Sequence, residues 1–344
     1  MNSPSRIEDE HRLDELLSEP TPAAIDALSR VEGDFILLGA GGKMGTSLAG
    51  MVCRASQAAG IDRRVFGVSR FREPEAMSKL ESQGVVPIQG DLLEESFVAS
   101  LPDAPNVVHM TGFKFGTGSR AALTWATNVY LPSLIARRYR SSRIVAFSTG
   151  NVYPLVPVTS QGSRETDAMQ PVGEYAMSAL GRERMFEFAS RQWNIPLVLL
   201  RLNYAVEMRY GVLVDIAQRV LQEQEIDVSM GHVNVIWQAD ANAMALAALA
   251  DAASPPFVVN VAGPEILRVR DVADQFADRF GVSTRVVGQE SETALLNDGS
   301  YGRERYGQPR VGVGQLIDWT ADWLLRGRAT LGKPTHFDVR SGDF

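Results

Sequence analysis

The 344-residue chain carries 34 Lys and Arg against 41 Asp and Glu, a net charge of −7, with 45% hydrophobic and 22% charged residues. That balance describes a globular protein large enough for one big domain or two, and it excludes a broad nucleic-acid surface. A single cysteine, Cys53, rules out an internal disulfide and points to a reducing, cytoplasmic setting. No apolar run approaches the roughly 20 residues of a membrane span, and the acidic N-terminus lacks a signal-peptide core.

Residues 1–31 form an appendage with two helix-like stretches, around Leu13-Leu16-Leu17 and Ala23-Ile25-Leu28, separated by Pro20 and Pro22. It is expected to pack on the domain or on a second subunit. The apolar run Phe35-Ile-Leu-Leu38 then breaks into Gly39-x-x-Gly42-x-x-Gly45, and the chain resumes with helical character from Ser47. Strand, glycine turn, helix is the arrangement that holds a pyrophosphate. Gly39 serves the turn, Gly42 lets the backbone approach the phosphates, and Gly45 packs helix on strand, with Lys43 and Met44 in the same loop. The free N–H groups at the helix start complete the cradle.

A second strand over 64–70 ends in Ser69-Arg70 rather than in an acidic residue. An acid there would bind the ribose hydroxyl of NAD, whereas a hydroxyl and a guanidinium suit a 2′-phosphate, so NADP is expected first and NAD second. A third strand runs from Gly84 into Asp91 and Leu92, and a fourth, Val107-Val-His-Met-Thr-Gly112, ends in small residues. Strand ends line the ligand crevice in a parallel sheet, which brings Thr111, Gly112 and the segment Phe113-Lys114-Phe115-Gly116 near the cofactor. His109 reads as a packed core residue, and no metal-ligand spacing is present.

A helix around Trp125–Arg138 contains Asn128, and the fifth strand from Arg143 ends at Ser148-Thr149. A proline-marked loop over 151–171 leads into a long helix from Glu174 with Tyr175 in its first turn. The sixth strand, Ile195–Leu202, runs toward Asn203. Beyond residue 205 the alternation loosens, with helices over 213–224, from Asp240 to Ala250, near 271–280 and 315–325, and a strand at 257–261. The expected architecture is α/β: a doubly wound parallel sheet over 32–204, and a smaller lobe over 205–344 from which segments near 235–262 return to the sheet.

In this order and spacing the chain resembles the extended short-chain dehydrogenases/reductases, the NAD-dependent epimerase/dehydratase family, from about Asp34 to Leu325. Gly39-x-x-Gly42-x-x-Gly45 is similar to the family's cofactor loop and Gly90-Asp91-Leu92 to its adenine-contacting element. Phe147-Ser-Thr-Gly-Asn-Val-Tyr-Pro154 resembles its Ser/Thr-rich segment, placing Thr149 at the catalytic Ser/Thr position. Glu174-Tyr-Ala-Met-Ser178 resembles the start of the Tyr-x-x-x-Lys helix, with Tyr175 as the catalytic tyrosine. Weaker landmarks are Val258–Glu265 and Tyr306–Pro309. The resemblance implies hydride exchange with nicotinamide, a proton exchanged at Tyr175 and oxygen orientation by Thr149. It also implies homodimerisation through the helices around 118–138 and 174–190.

One position departs from the pattern: the lysine is replaced by Ala179. In the family that lysine holds the nicotinamide ribose, and its charge lowers the tyrosine pKa from about 10. Of the chain's four lysines, Lys43, Lys79, Lys114 and Lys333, only Lys114 is predicted at the nicotinamide end. It is a candidate replacement, set against an ordinary solvated loop lysine. Two functions stay open. One is an NAD(P)-dependent oxidoreductase, epimerase or dehydratase acting on a sugar-like or hydroxy-acid small molecule. The other, favoured by Ala179, is a dinucleotide-binding sensor or regulator without chemistry. The stretch Met230–Asp240 lacks the arginine common in the family for a diphosphate, which favours a non-nucleotide sugar or sugar acid. His232, Asn234, Trp237 and Gln238 are candidates for lining its pocket.

Overall fold

In the computed structural model, which describes residues 4–72, 74–114, 116 and 119–342, seven parallel strands form the central sheet. They are β1 (Phe35–Leu38), β2 (Val65–Ser69), β3 (Val86–Gln89), β4 (Asn106–His109), β5 (Arg143–Thr149), β6 (Leu197–Leu202) and β7 (Phe257–Val261). Their spatial order is β7-β6-β5-β4-β1-β2-β3, so the chain reverses direction across the sheet between β1 and β4, where α/β sheets open a crevice for ligands.

Strand side chains alternate between two buried faces. Phe35, Leu37, Val108, Val145 and Leu200 enter one core, while Ile36, Leu38, Val107, Ile144 and Leu199 enter the other. Helices α1 (Glu10–Leu17), α2 (Pro22–Ser29), α3 (Gly45–Ala58) and α4 (Pro74–Ser82) cover the first face. The second is covered by α5 (Glu95–Ser100), by α6, a continuous helix whose turns are Ala121–Trp125, Ala126–Tyr130 and Leu131–Arg138, and by α7 (Gly173–Trp193). His109 is fully buried, edge-on to Phe186 at 5.2 Å, and burial holds its pKa well below the usual value.

Both N-terminal helices start on side-chain caps. The Asp9 carboxylate accepts from the Arg12 N–H, and the Thr21 hydroxyl accepts from the Ala24 N–H ahead of a helix that begins at Pro22. They bury Leu13, Leu17, Ala24 and Leu28 in the same core as α3, and so pack on their own chain. Arg54 of α3 donates to the Glu15 carbonyl, and Asp14 pairs with Arg209 and with Lys79.

The remaining helices are α8 (Val212–Leu221), α9 (Gln238–Ala248), α10 (Val269–Phe280), α11 (Ser300–Tyr306) and α12 (Val313–Leu325), with two-stranded ribbons among them. Helix α9 is buried along its whole length. Gln238 and Asn242 both donate to the Ser47 hydroxyl, fastening α9 to the first turn of α3. After α12 the chain runs back over the molecule as a strap. Thr330 accepts from Gln218, Thr335 donates to Asp215, Asp338 accepts from Arg219, and Arg340 donates to the Thr293 carbonyl. In it Gly342 lies against Gly173, the first residue of α7, at a distance that leaves no space for a Cβ on either.

No helix among the described residues is long and apolar enough to cross a membrane.

Candidate active site

The carboxyl ends of β1, β2, β4, β5 and β6 open on two adjoining cavities. The first, about 490 Å³, is walled by Gly39, Gly41 and Gly42, by Ser69, Arg70 and Arg72, by Asp91 and Leu92, and by Thr111, Gly112 and Phe113. Gly39 has φ +99°, and a Cβ on it would lie 3.0 Å from the Thr111 N–H nitrogen; only glycine fits without strain. Gly45 lines neither cavity. It seats α3 on β1, since a Cβ there would come within 2.5 Å of the Ala40 carbonyl oxygen. Helix α3 begins without a side-chain cap, although the Gly45 N–H donates to the Gly42 carbonyl at 3.1 Å, and its positive end lies beside the glycines.

The second cavity, about 170 Å³, is lined by Lys43, Met44, Lys114, Ser148, Thr149, Asn151, Tyr175, Asn203, Tyr204, Tyr210, Gln238 and Thr335, among others. The Lys114 ammonium lies 5.7 Å from the centre of the Tyr175 ring and donates to the Thr335 carbonyl at 3.3 Å. Burial lowers its pKa to about 8, against the opposing pull of Asp215. Thr149 is buried, with its hydroxyl oxygen accepting from the Asn151 side chain at 3.0 Å. Next to it, Ser148 donates at 2.5 Å to Glu183, which is paired with Arg201 at 2.8 Å in a site almost without solvent. The Arg201 guanidinium also donates to the Tyr153 hydroxyl, and Tyr153 donates to Asn260. This network, spanning α7, β6 and β7, fixes the segment that carries Thr149.

The structure places several of the expected residues elsewhere. Lys43 does not line the glycine groove. Its ammonium lies 3.0 Å from the centre of the Tyr210 ring in the second cavity, and burial, with Lys114 and Lys333 nearby, lowers its pKa to about 7. Lys114 is therefore not alone at that end, and Lys333 of the strap reaches the first cavity. Met44 and Asn203 likewise face the second cavity rather than the first; the Asn203 amide donates to Asn234 at 2.7 Å. Asn128 lines neither. It sits in the wide turn Ala126–Tyr130 of α6, fully buried, accepting from the Phe113 N–H and Arg182 and donating to the Phe113 carbonyl and Ser178. It positions the loop after β4. Arg182, seven residues after Tyr175, also donates to the Phe147 carbonyl.

Ala179 is completely buried among Val152, Tyr153, Met169 and Leu180, in a small apolar cluster. Of the four residues expected around the substrate, only Gln238 lines the pocket. Trp237 is core, edge-on to Trp319 at 5.7 Å, and Asn234 ties Asn203 to the Gly263 and Asn297 carbonyls. His232 pairs in a ribbon with Arg268. Phe115 lies outside the described residues. Sequence reasoning missed Arg72, Asn151, Tyr204, Tyr210, Lys333 and Thr335. Arg72 carried a signal, a second guanidinium two residues past Arg70. The strap residues carried none, because only folding brings them to the site.

The first cavity fits an extended dinucleotide. Its volume lies in the range of cofactor clefts, its floor is bare backbone where a pyrophosphate would rest, and the Thr111 hydroxyl is buried there without a partner. The model of the NAD dependent epimerase/dehydratase family matches residues 35–228. The chain belongs to this family. The epimerase/dehydratase fold extends beyond the matched segment. A dTDP-glucose 4,6-dehydratase from Streptomyces venezuelae, solved with NAD and TYD bound, superposes with a TM-score of 0.73 at 15% identity, over 85% of this chain and 97% of its own. A UDP-glucuronic acid 4-epimerase from Bacillus cereus in complex with NAD gives 0.71 at 18%, over 85% and 99%. Pal from Bacillus thuringiensis gives 0.72 at 17%, over 86% and 100%. These likenesses establish the fold of an epimerase/dehydratase. No curated protein matches the sequence. Family membership makes the chain an enzyme that works with a nicotinamide dinucleotide.

Proposed function

We propose that the chain is an NADP-preferring oxidoreductase, epimerase or dehydratase acting on a hydroxyl-bearing, sugar-like or hydroxy-acid small molecule. The observation that carries this reading is the meeting of Tyr175, Thr149 and Lys114 in one cavity beside a glycine-walled groove. Gly39, Gly42 and the first turn of α3 would hold the pyrophosphate, with Asp91 and Leu92 beside the adenine and Thr111 and Gly112 beside the nicotinamide half. When bound, the nicotinamide supplies a two-electron acceptor or donor for a carbinol carbon.

The protein's own part is proton handling and orientation. Tyr175 exchanges the carbinol proton at its phenol oxygen, and the Thr149 hydroxyl, turned by Asn151, aligns the reacting oxygen. Positive charge beside a phenol favours its ionised form, and Lys114 supplies that charge where Ala179 does not. The retention of Tyr175 and Thr149 in a shaped pocket weighs against a sensor without chemistry. Arg70 and Arg72 at the end of β2 suit a 2′-phosphate and support NADP over NAD.

A second copy of the chain is proposed to pack on α6 and α7, which leave Trp125, Tyr130, Met177 and Phe188 exposed, with Trp125, Tyr130 and Met185 lining a shallow groove. The half-buried Cys53, whose thiol pKa burial raises to about 11, is consistent with a reducing cytoplasm.

Paired fluorescence titrations with NADPH and NADH test the reading. Binding of both with NADPH tighter is expected, equal affinities remove the role of Arg70, and binding of neither overturns the oxidoreductase assignment.

A further inference from the structure

The second cavity differs in charge from the rest of the molecule. The chain has only four lysines and a net charge of −7, yet two of those lysines, Lys43 and Lys114, line this one small space, and no Asp or Glu does so among the described residues. Two carboxylates act on the lysines from outside the lining, and both are engaged by other residues. Asp215 accepts from both the N–H and the hydroxyl of Thr335 at 2.7 and 2.5 Å, and Glu207 is held by Arg209 at 3.1 Å. Around the two ammonium groups the lining is rich in neutral hydrogen-bonding side chains: Thr149, Asn151, Tyr175, Tyr204, Tyr210 and Gln238.

Size adds a second constraint. At about 170 Å³ the cavity is well below the several hundred cubic ångströms of sites that enclose a drug-sized ligand. The strap that contributes Thr335 runs on through Asp338 and Arg340, each held by an opposing side chain or carbonyl, to the start of α7. Thr335 of the strap walls this side of the pocket, and the small volume suits a short substrate better than one carrying a nucleotide.

Resting on the assignment above, we propose that the substrate is a short polyhydroxy acid whose carboxylate is seated by Lys43 beside Tyr210, with its carbinol at Tyr175 and Thr149. Lys43 leaves the glycine loop and lies across the Tyr210 ring, which brings its charge into the pocket wall. Lys114 stands between that wall and the Tyr175 ring. The two lysines thus divide the work: Lys43 recognises the substrate's charge, and Lys114 supports the reacting end.

Each arm of the test is a binding measurement. Calorimetry on the protein saturated with NADPH compares glycerate, threonate, gluconate and galactonate with glycerol, threitol, glucitol and galactitol, and with UDP-glucose. At least one acid is expected to bind about tenfold or more tighter than its alditol, the contribution of a hydrogen bond to a charged group. Lys43→Met removes that preference, Lys43→Arg retains it, and NADPH affinity changes by less than about twofold in either, a small fraction of that contribution. Raising the pH from 6.5 to 9 weakens the acid and leaves the alditol unchanged, because burial puts Lys43 near 7 and Lys114 near 8 and both lose their charge across that interval. The groups facing them are Asp215, Glu207, Lys333, Tyr175 and Tyr210; the carboxylates oppose this discharge and the lysines favour it.

The proposal is overturned if no acid binds, if acids bind no tighter than alditols, if UDP-glucose binds best, or if Lys43→Met loses NADPH instead. Failure of the underlying assignment is distinct, since it shows as absent dinucleotide binding before any acid is added, and it removes this proposal with it.

Discussion

The glycine groove takes most of its wall from the turns that follow β1, β2, β3 and β4, closed by residues of α6 and by Lys333, whereas the Tyr175 pocket gathers polar side chains from β5, α7, α9, the glycine loop and the strap. At the glycine turn of the groove a substitution acts through backbone strain, and at the end of β2 it acts through lost charge. The pocket depends on a buried polar frame and on the strap, so its chemistry responds to residues that never touch it.

The largest effect is expected where that frame is broken. Arg201→Met leaves the Glu183 carboxylate buried without its partner and is expected to cost about 3–5 kcal/mol, read as a lower midpoint in urea unfolding. A cost near zero would mean the pocket does not rely on the pair. Next, Tyr175→Phe is expected to lower turnover of the best-binding acid by about 10²–10⁴-fold while leaving NADPH affinity intact. Loss of NADPH binding along with turnover would instead make the tyrosine part of the groove. Gly39→Val forces a β-branched residue to φ +99° against Thr111 and is expected to weaken both dinucleotides about a hundredfold, the upper end of the strain at such a position. The smallest effect concerns the groove's far end. Arg70→Ala is expected to weaken NADPH about tenfold in fluorescence titration, the loss of a hydrogen bond to a charged group, with NADH unchanged. An equal loss for both cofactors would show that Arg70 contacts something other than a 2′-phosphate.

The groove was the readable half. Gly39, Gly42, Ser69, Arg70, Thr111 and Gly112, read from strand ends and glycine spacing, line the first cavity together with Asp91 and Leu92, which the family resemblance implied, because a parallel sheet presents successive strand ends along one edge. Helix and strand positions were also legible. The helix predicted at 315–325 is Val313–Leu325, and the strand at 257–261 is Phe257–Val261. Asn128, expected beside the cofactor, sits in a wide turn of α6 with its side chain on the Phe113 backbone and Arg182, and no periodicity in the sequence signals that turn. Lys43 was misread for another reason: a loop assigns a backbone position, but a lysine stem is long enough to carry its charge into the neighbouring cavity.

By itself the sequence determined the α/β class, the glycine turn at Gly39–Gly45, the family resemblance with Tyr175 and Thr149 at its landmarks, and the missing lysine at Ala179. Each depends on contacts between residues close in the chain or on a fixed order of short motifs. The tertiary structure decided that Lys43 joins Lys114, that Ala179 is sealed in an apolar cluster, and that the strap through Thr335 limits the size of the pocket. Those outcomes join residues up to some three hundred positions apart, and side-chain reach and burial settle them only when the chain has folded.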